Sequence, residues 1–401
     1  MKDFRFSLQY PKPLVEHDLS DLIEIGKSGL FSRYASDYVN KTEKEIARYY
    51  GTKHAVLCTS GTAALHGALV ALDFPAGSEI IVTSVADIGV VIPIIYENLI
   101  PVFADIDSSS YNISAESIIE KITTKTKAVI VVHLSGNPAD VKTIRNICDA
   151  HNLIMLEDFS QAHGASVNDQ KVGSFGHINY GSYQQSKQIT CGEGGVILTD
   201  DDTLQYRSLI GVDKGWQREL PLKDRKYIFL APNLRFNALQ AAVLLPQIKK
   251  LDMLVNSKRN MAHILYGIVN KINHIISPQK IANGCNHAYY SFPMYINKNI
   301  PNRRDELLYT LENKYKLYCA TGYANPLTLY QCVNALIDPK KYGKGFAYSD
   351  RKYPNGTCPN AEDLLSRSFL IPFNENYSTE ETHDIATRLV DAVSEVYADA
   401  I

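Results

Sequence analysis

The chain has 401 residues, 45% of them hydrophobic, which is more apolar material than one compact core of ordinary size holds, so two domains are expected. A net charge of -2 with scattered lysine and arginine excludes the basic stripe of a nucleic-acid binder, and no apolar run approaches membrane-spanning length. Seven cysteines, never spaced C-x-x-C, argue against a disulfide framework and against a zinc knot; with an N-terminus broken by charges and prolines, they suggest a cytoplasmic protein with reduced thiols and no metal site.

Residues 14–50 carry helical spacing, with Leu19, Leu22 and Ile23 and then Ile46, Ala47 and Tyr50. A short apolar strand at 55–58 then runs through Thr59, Ser60, Gly61 and Thr62 into an alanine- and leucine-rich helix. Amides at such a helix start, with the Thr62 hydroxyl and the helix dipole, suit a phosphate; the same pattern also describes a plain capped helix. Strands at 79–83, 101–103, 128–132 and 153–156 alternate with helices at 88–97, 114–122 and 140–151. That order predicts a parallel sheet with helices on both faces, whose ligands gather at the carboxyl ends of the strands. The strand at 153–156 ends in Glu157 and Asp158. Asp158 either caps the following turn or meets a cationic partner, because burying it unpaired costs several kcal/mol.

Residues 181–200, GSYQQSKQITCGEGGVILTD, set Lys187 between Ser182 and the turn Gly192, Glu193, Gly194, Gly195, which leads into an apolar strand at 196–199. A lysine that condenses with an aldehyde needs a fixed backbone, and a nearby hydroxyl can hold a phosphate; a surface lysine before an edge strand is the plain alternative. Trp216, flanked by Lys214 and Arg218, either borders a substrate pocket or packs under its loop. Asn233 and Arg235 form a turn ahead of a long helix. A strand at 287–295 and helices at 303–315 and 379–398 then make a second region, so the expected domains are 1–255 and 256–401.

The ordered motifs SGTAAL, EDFSQAHGA, SYQQSK with GEGG, and PNLRFNALQAA resemble the DegT/DnrJ/EryC1/StrS family of pyridoxal 5'-phosphate (PLP) sugar aminotransferases, and the resemblance spans nearly the whole chain. It implies an α/β architecture, the PLP-dependent transferase fold type I, with a large domain on a mostly parallel sheet between helices and a smaller C-terminal α+β domain. By this resemblance Lys187 is the catalytic lysine that carries PLP and shuttles a proton, and Asp158 is the partner of the ring nitrogen. Gln161 lies beside the ring hydroxyl. Gly61, Thr62, the Ala63 amide and Ser182 are phosphate contacts, while Asn233 reaches the phosphate of a neighbouring subunit, which implies a homodimer with shared sites. His163 and Arg235 take substrate-side or supporting places.

Where the family carries an aromatic residue over the ring, this chain has Thr83, Ser84, Val85, Ala86, Asp87 and Ile88, which leaves that face to Ile88 or to another residue. The implied reaction is ping-pong transfer of an amino group from glutamate or glutamine to a keto sugar, nucleotide-linked in the leading reading. Gln184 and Gln185 also resemble glutamine-using aminotransferases of keto-cyclitols (inososes). A sugar dehydratase of the same family and a non-catalytic member are the remaining readings. Lys187 opposes the first, in which histidine replaces the lysine, and the intact motifs oppose the second.

Overall fold

The structure, a computed structural model, describes residues 1–14, 16–321, 326–338, 349 and 351–399. Its central sheet has seven strands: β1 His54–Cys58, β2 Glu79–Thr83, β3 Ile100–Ala104, β4 Thr126–Val132, β5 Ile154–Asp158, β6 Ile178–Ser182 and β7 Gly195–Thr199. Their order is β1-β7-β6-β5-β4-β2-β3, and every pairing is parallel except those of β7, which runs antiparallel to both β1 and β6. All residues of β2, β3, β6 and β7 are buried, as a sheet covered on both faces requires. Alternation along the strands divides the core in two. Ile81, Val129 and Val131 join one apolar cluster with Val39, Ile46 and Leu244, whereas Ile80, Val82, Ala128 and Ile130 join another with Ala64 and Leu69.

A three-stranded antiparallel sheet, Ile276–Pro278 with Pro293–Ile296 and Ser368–Leu370, lies outside this one. Its apolar cluster takes Met294, Phe369, Leu389 and Val393, and also Phe4 from the start of the chain. The helix Ala238–Val269 connects the two regions: Leu244, Leu251 and Val255 pack with the central sheet, while Met261, Leu265 and Val269 pack with the C-terminal cluster. The buried stripe of this helix changes partner between Val255 and Met261. Further on, Tyr330, Tyr353 and Leu364 return to the second face of the central sheet.

Two expected elements take another form. The helix expected at 88–97 is a 3-10 turn, Ile88–Val90, and a short helix, Ile92–Tyr96; Asp87 caps the turn by accepting from Gly89 N at 2.8 Å. Only Pro293–Ile296 of the strand expected at 287–295 is a strand. The residues before it give their backbone bonds to a loop after β4 instead, with Ala288 N donating to Gly136 O at 2.9 Å and Tyr290 N to Ser135 O at 2.8 Å. Among the described residues, no helix is long and apolar enough to cross a membrane and no group of side chains has the makings of a metal site.

Candidate active site

A cavity of about 530 Å³ opens at the carboxyl ends of β1, β4, β5 and β6, with Ser60, Val132, Asp158, Ser182 and Lys187 in its wall. The helix Gly61–Leu72 starts there, immediately after β1. Ser60, in extended conformation, caps it by accepting from Ala63 N at 3.0 Å. The amides of Gly61 and Thr62 belong to the first turn, which has no intrahelical acceptors for them, so they and the helix dipole favour an anion in the cavity. Glycine is required at two points of this corner. A Cβ on Gly61 would stand 2.8 Å from Ser182 Cβ, and one on Gly195 would stand 2.0 Å from the Ser60 carbonyl oxygen. The helix start, the end of β6 and the start of β7 are thus packed backbone against backbone.

Lys187 follows β6 on a tight turn in which its amide donates to Gln184 O at 2.9 Å and the Ser186 amide donates to Gln184 Oε1 at 2.7 Å. Its ammonium lies 4.7 Å from the centre of the Tyr290 ring, whose hydroxyl is 2.9 Å from Ser186 Oγ. Asp158, at the end of β5, is 5% exposed, accepts from Ser160 N at 2.9 Å and shares the cavity wall with Lys187. Burial pushes its carboxyl above the ordinary range, while the hydrogen bonds from Ser160 and the charge of Lys187 act against that rise. Glu157, one residue earlier, points the other way: it accepts from Gly173 N at 2.9 Å and Gly176 N at 2.8 Å and pairs with buried His133 at 3.0 Å. Gln161 also lines the cavity, and its Oε1 accepts from Ser135 N at 2.7 Å.

Gly61, Thr62, Asp158, Gln161, Ser182 and Lys187 therefore meet in one wall, and the other expected site residues stand elsewhere. The Ala63 amide is occupied by Ser60 Oγ, which leaves only the two amides before it for an anion. His163 is fully buried behind the wall. Its Nδ1 accepts from the Tyr50 hydroxyl at 2.6 Å, its Nε2–H donates to Ser182 O at 2.7 Å, and its ring stacks on Tyr183 at 5.0 Å. Burial lowers its pKa to about 3, so it is a neutral tie on the end of β6 and not a group facing substrate. Trp216 lies outside the cavity wall, with Arg218 at 3.7 Å and Arg225 at 4.3 Å from its ring. Arg235 is spent on Asp213, which also pairs with Arg218 and accepts from Tyr34. Asn233 is exposed and lies outside this chain's own cavity wall.

Of the residues considered for covering a ring face, Ile88 is not in the cavity wall; Asp87, Gly89 and Val90 are, with Val132 also present. Sequence reasoning missed Tyr290, Ser186 as its partner, and Leu8. Tyr290 reaches the site through a loop held by the backbone of Ser135, for which neither periodicity nor a motif gives a signal.

The DegT/DnrJ/EryC1/StrS aminotransferase family matches residues 13–390 of this chain. The chain is 32% identical over 364 residues to GDP-perosamine synthase of Escherichia coli O157:H7, an overlap of 90% of this chain and 91% of that one. It is 32% identical over 286 residues to L-glutamine:2-deoxy-scyllo-inosose aminotransferase of Streptomyces kanamyceticus, 68% of this chain and 66% of that one. The crystal structure of the aminotransferase from Psychrobacter cryohalolentis superposes with a TM-score of 0.84 at 26% identity, over 98% of this chain and 99% of that one. The chain belongs to the DegT/DnrJ/EryC1/StrS aminotransferase family and is a PLP-dependent aminotransferase.

Proposed function

We propose that this aminotransferase takes an amino group from glutamate or glutamine and delivers it to the keto group of a sugar, nucleotide-linked in the leading case, in two half-reactions at one site. The observation that carries the reading is that Lys187 and Asp158 share one cavity with the anion-favouring start of the helix Gly61–Leu72.

The donor set fits PLP. Gly61, Thr62 and Ser182 would hold its phosphate, Asp158 would face its ring nitrogen and Gln161 its ring hydroxyl, and Lys187 would carry it. Bound there, PLP supplies an aldehyde for amino groups and an electron-poor ring that takes up charge from the substrate carbon. Lys187 moves the proton at the reacting carbon, and one amine serves both half-reactions because each needs a single base there. Asp158, held by the Ser160 amide, would keep a proton on the ring nitrogen by its charge. Val90 and Val132 are apolar parts of the wall and would help to keep water from the bound group.

The working unit in this reading is a homodimer in which Asn233 serves the phosphate of the partner's site. Support comes from an apolar surface close to it: Leu30 (50% exposed), Phe31, Tyr34, Ile228 and Leu230 (96% exposed). The Tyr34 hydroxyl donates to Asp213 at 2.9 Å, and Asp213 forms a backbone bridge with Asn233, which brings the first of these segments to the turn that carries Asn233. The free cysteines suit a cytoplasmic setting.

A keto-cyclitol is the second acceptor, favoured by the likeness to the inosose aminotransferase. The test is transfer of label from glutamate or glutamine, nitrogen-15 at the amino position, to a panel of nucleotide-linked keto sugars and inososes, read by mass spectrometry. Label in a sugar supports the reading, label only in a cyclitol replaces the acceptor, and no transfer to any acceptor overturns it.

A further inference from the structure

The cavity wall holds three carboxylates, Asp87, Asp158 and Glu193, and among the described residues only one cation in it, Lys187. An amino-acid donor brings an α-carboxylate one bond from the carbon that reacts at Lys187. That carboxylate needs a positive partner in the same corner, and Lys187 is committed to the chemistry.

The N-terminal segment supplies a cation next to this corner. Leu8 is part of the wall, and Tyr10 is tied to the lysine turn by Gln185 Nε2, which donates to Tyr10 O at 3.2 Å. The Tyr10 hydroxyl donates to Glu375, which pairs with buried Lys258 at 3.2 Å. Lys12 is the second ammonium of this cluster. Its Nζ is buried, has no hydrogen-bond partner and sits 5.1 Å from the Tyr10 ring. Two ammoniums thus share one carboxylate. Lys258 holds it, and Lys12 is left over. Burial lowers Lys12 to about 8; Glu375 opposes that fall, and the charges of Lys258 and Lys187 add to it. An unpaired buried ammonium is costly, and an arriving anion relieves that cost.

We propose that Lys12 receives the α-carboxylate of the amino donor, so that the N-terminal segment is part of the donor site. The inference rests on the aminotransferase reading with an amino-acid donor. A diphosphate on a nucleotide-linked acceptor is the less suitable anion: it stands many bonds from the reacting carbon, whereas Lys12 is two residues from Tyr10, whose carbonyl is tied to the Lys187 turn through Gln185. The flexible four-carbon stem lets the ammonium turn from the Tyr10 ring to the cavity.

The test uses the holoenzyme and follows each half-reaction separately in single turnover, for wild type, Lys12→Met and Lys12→Arg, with Lys12→Gln in reserve if the methionine variant fails to fold. The donors are glutamate, glutamine and their α-amide analogues, which lack the carboxylate. The expected result is donor binding weakened about ten- to a hundredfold in Lys12→Met. Lys12→Arg should recover most of it, the acceptor half-reaction should stay within about twofold, and the α-amide should no longer distinguish wild type from variant. Because the methionine removes a buried unpaired charge, that variant should melt no lower than wild type. The proposal is overturned by unchanged donor binding, by equal losses in both half-reactions, or by an effect confined to a nucleotide-linked acceptor. A wild-type enzyme that runs neither half-reaction overturns the proposed function and this inference with it.

Discussion

The glycine turn that begins β7 separates two kinds of glycine requirement, and substituting each measures how firmly the cofactor corner is built. In Gly195→Ala the added Cβ would stand 2.0 Å from the Ser60 carbonyl oxygen, 2.4 Å from its carbon and 2.9 Å from Gly61 N. An ordinary carbon–oxygen contact is roughly 3.3 Å, so one of two main chains must move by about 1 Å. β7 is held from both sides, with Gly195 paired to Cys58 of β1 and to Ser182 of β6, so the start of the helix Gly61–Leu72 is the part that yields. Overpacking of this kind costs about 1–3 kcal/mol, and the upper end applies because backbone meets backbone. Moving the Gly61 and Thr62 amides by that distance should weaken PLP binding at least about tenfold, or about 1.4 kcal/mol. Gly192→Ala is the control. Gly192 has φ +86 and nothing within 4 Å of its added Cβ, so only backbone strain of about 1 kcal/mol is expected, with PLP affinity unchanged. Absorbance titration of cofactor-stripped protein with PLP, alongside thermal unfolding, reads both quantities. If Gly195→Ala binds PLP as wild type does while Gly192→Ala does not, the cradle is not at the helix start.

Further outcomes follow from the same geometry. Asp158→Asn should lower turnover about a thousandfold, about 4 kcal/mol of barrier, with a smaller loss of PLP affinity; near-normal rates in both half-reactions would remove the ring-nitrogen role. His163 and His287 are buried neutral, each lowered to about 3, so the unfolded chain binds protons near 6.5 that the folded chain refuses. Their contribution is intact above about 6.5 and is lost as pH falls from there toward 3, at about 1.4 kcal/mol per pH unit for each group. Denaturant titrations of wild type and His163→Gln at pH 7 and 5 should show a shallower acid loss in the variant, and equal slopes would contradict the neutral assignment. Lys187→Ala and Asn233→Asp, each inactive alone, should regain up to about a quarter of wild-type activity on mixing if Asn233 serves the partner's site. No recovery, with mixed dimers shown to form, would return Asn233 to its own chain.

Much of this architecture is legible in local sequence because strands and helix starts leave local marks. The strand at Ile154–Asp158 and the turn at Ser60 both read directly, and each delivers its functional group at a carboxyl end of the sheet. That is why Asp158, Ser182, Lys187 and the helix start can be suspected as neighbours before any fold is known. The unread part is long-range. Lys12 and Tyr10 of the N-terminal segment, Lys258 of the long helix and Glu375 of the C-terminal region form one cluster, and no pattern in any of the three segments announces the others. Tyr290 enters through a loop whose backbone pairs with Ser135, itself at φ 59, where a strand would otherwise continue. His163 carries the look of a chemical group, but Tyr50 and the Ser182 carbonyl use both its nitrogens.

The claim on which the rest depends is that Lys187 carries the cofactor in a cavity shared with Asp158. Borohydride reduction of the PLP-loaded protein, followed by proteolysis and mass mapping, tests it without any assumption about the substrate. The account predicts one pyridoxyl label, on the peptide containing Lys187, and its loss in Lys187→Arg, because a guanidinium does not condense with the aldehyde. A label on Lys12, Lys258 or any other lysine of the wild-type protein would contradict it.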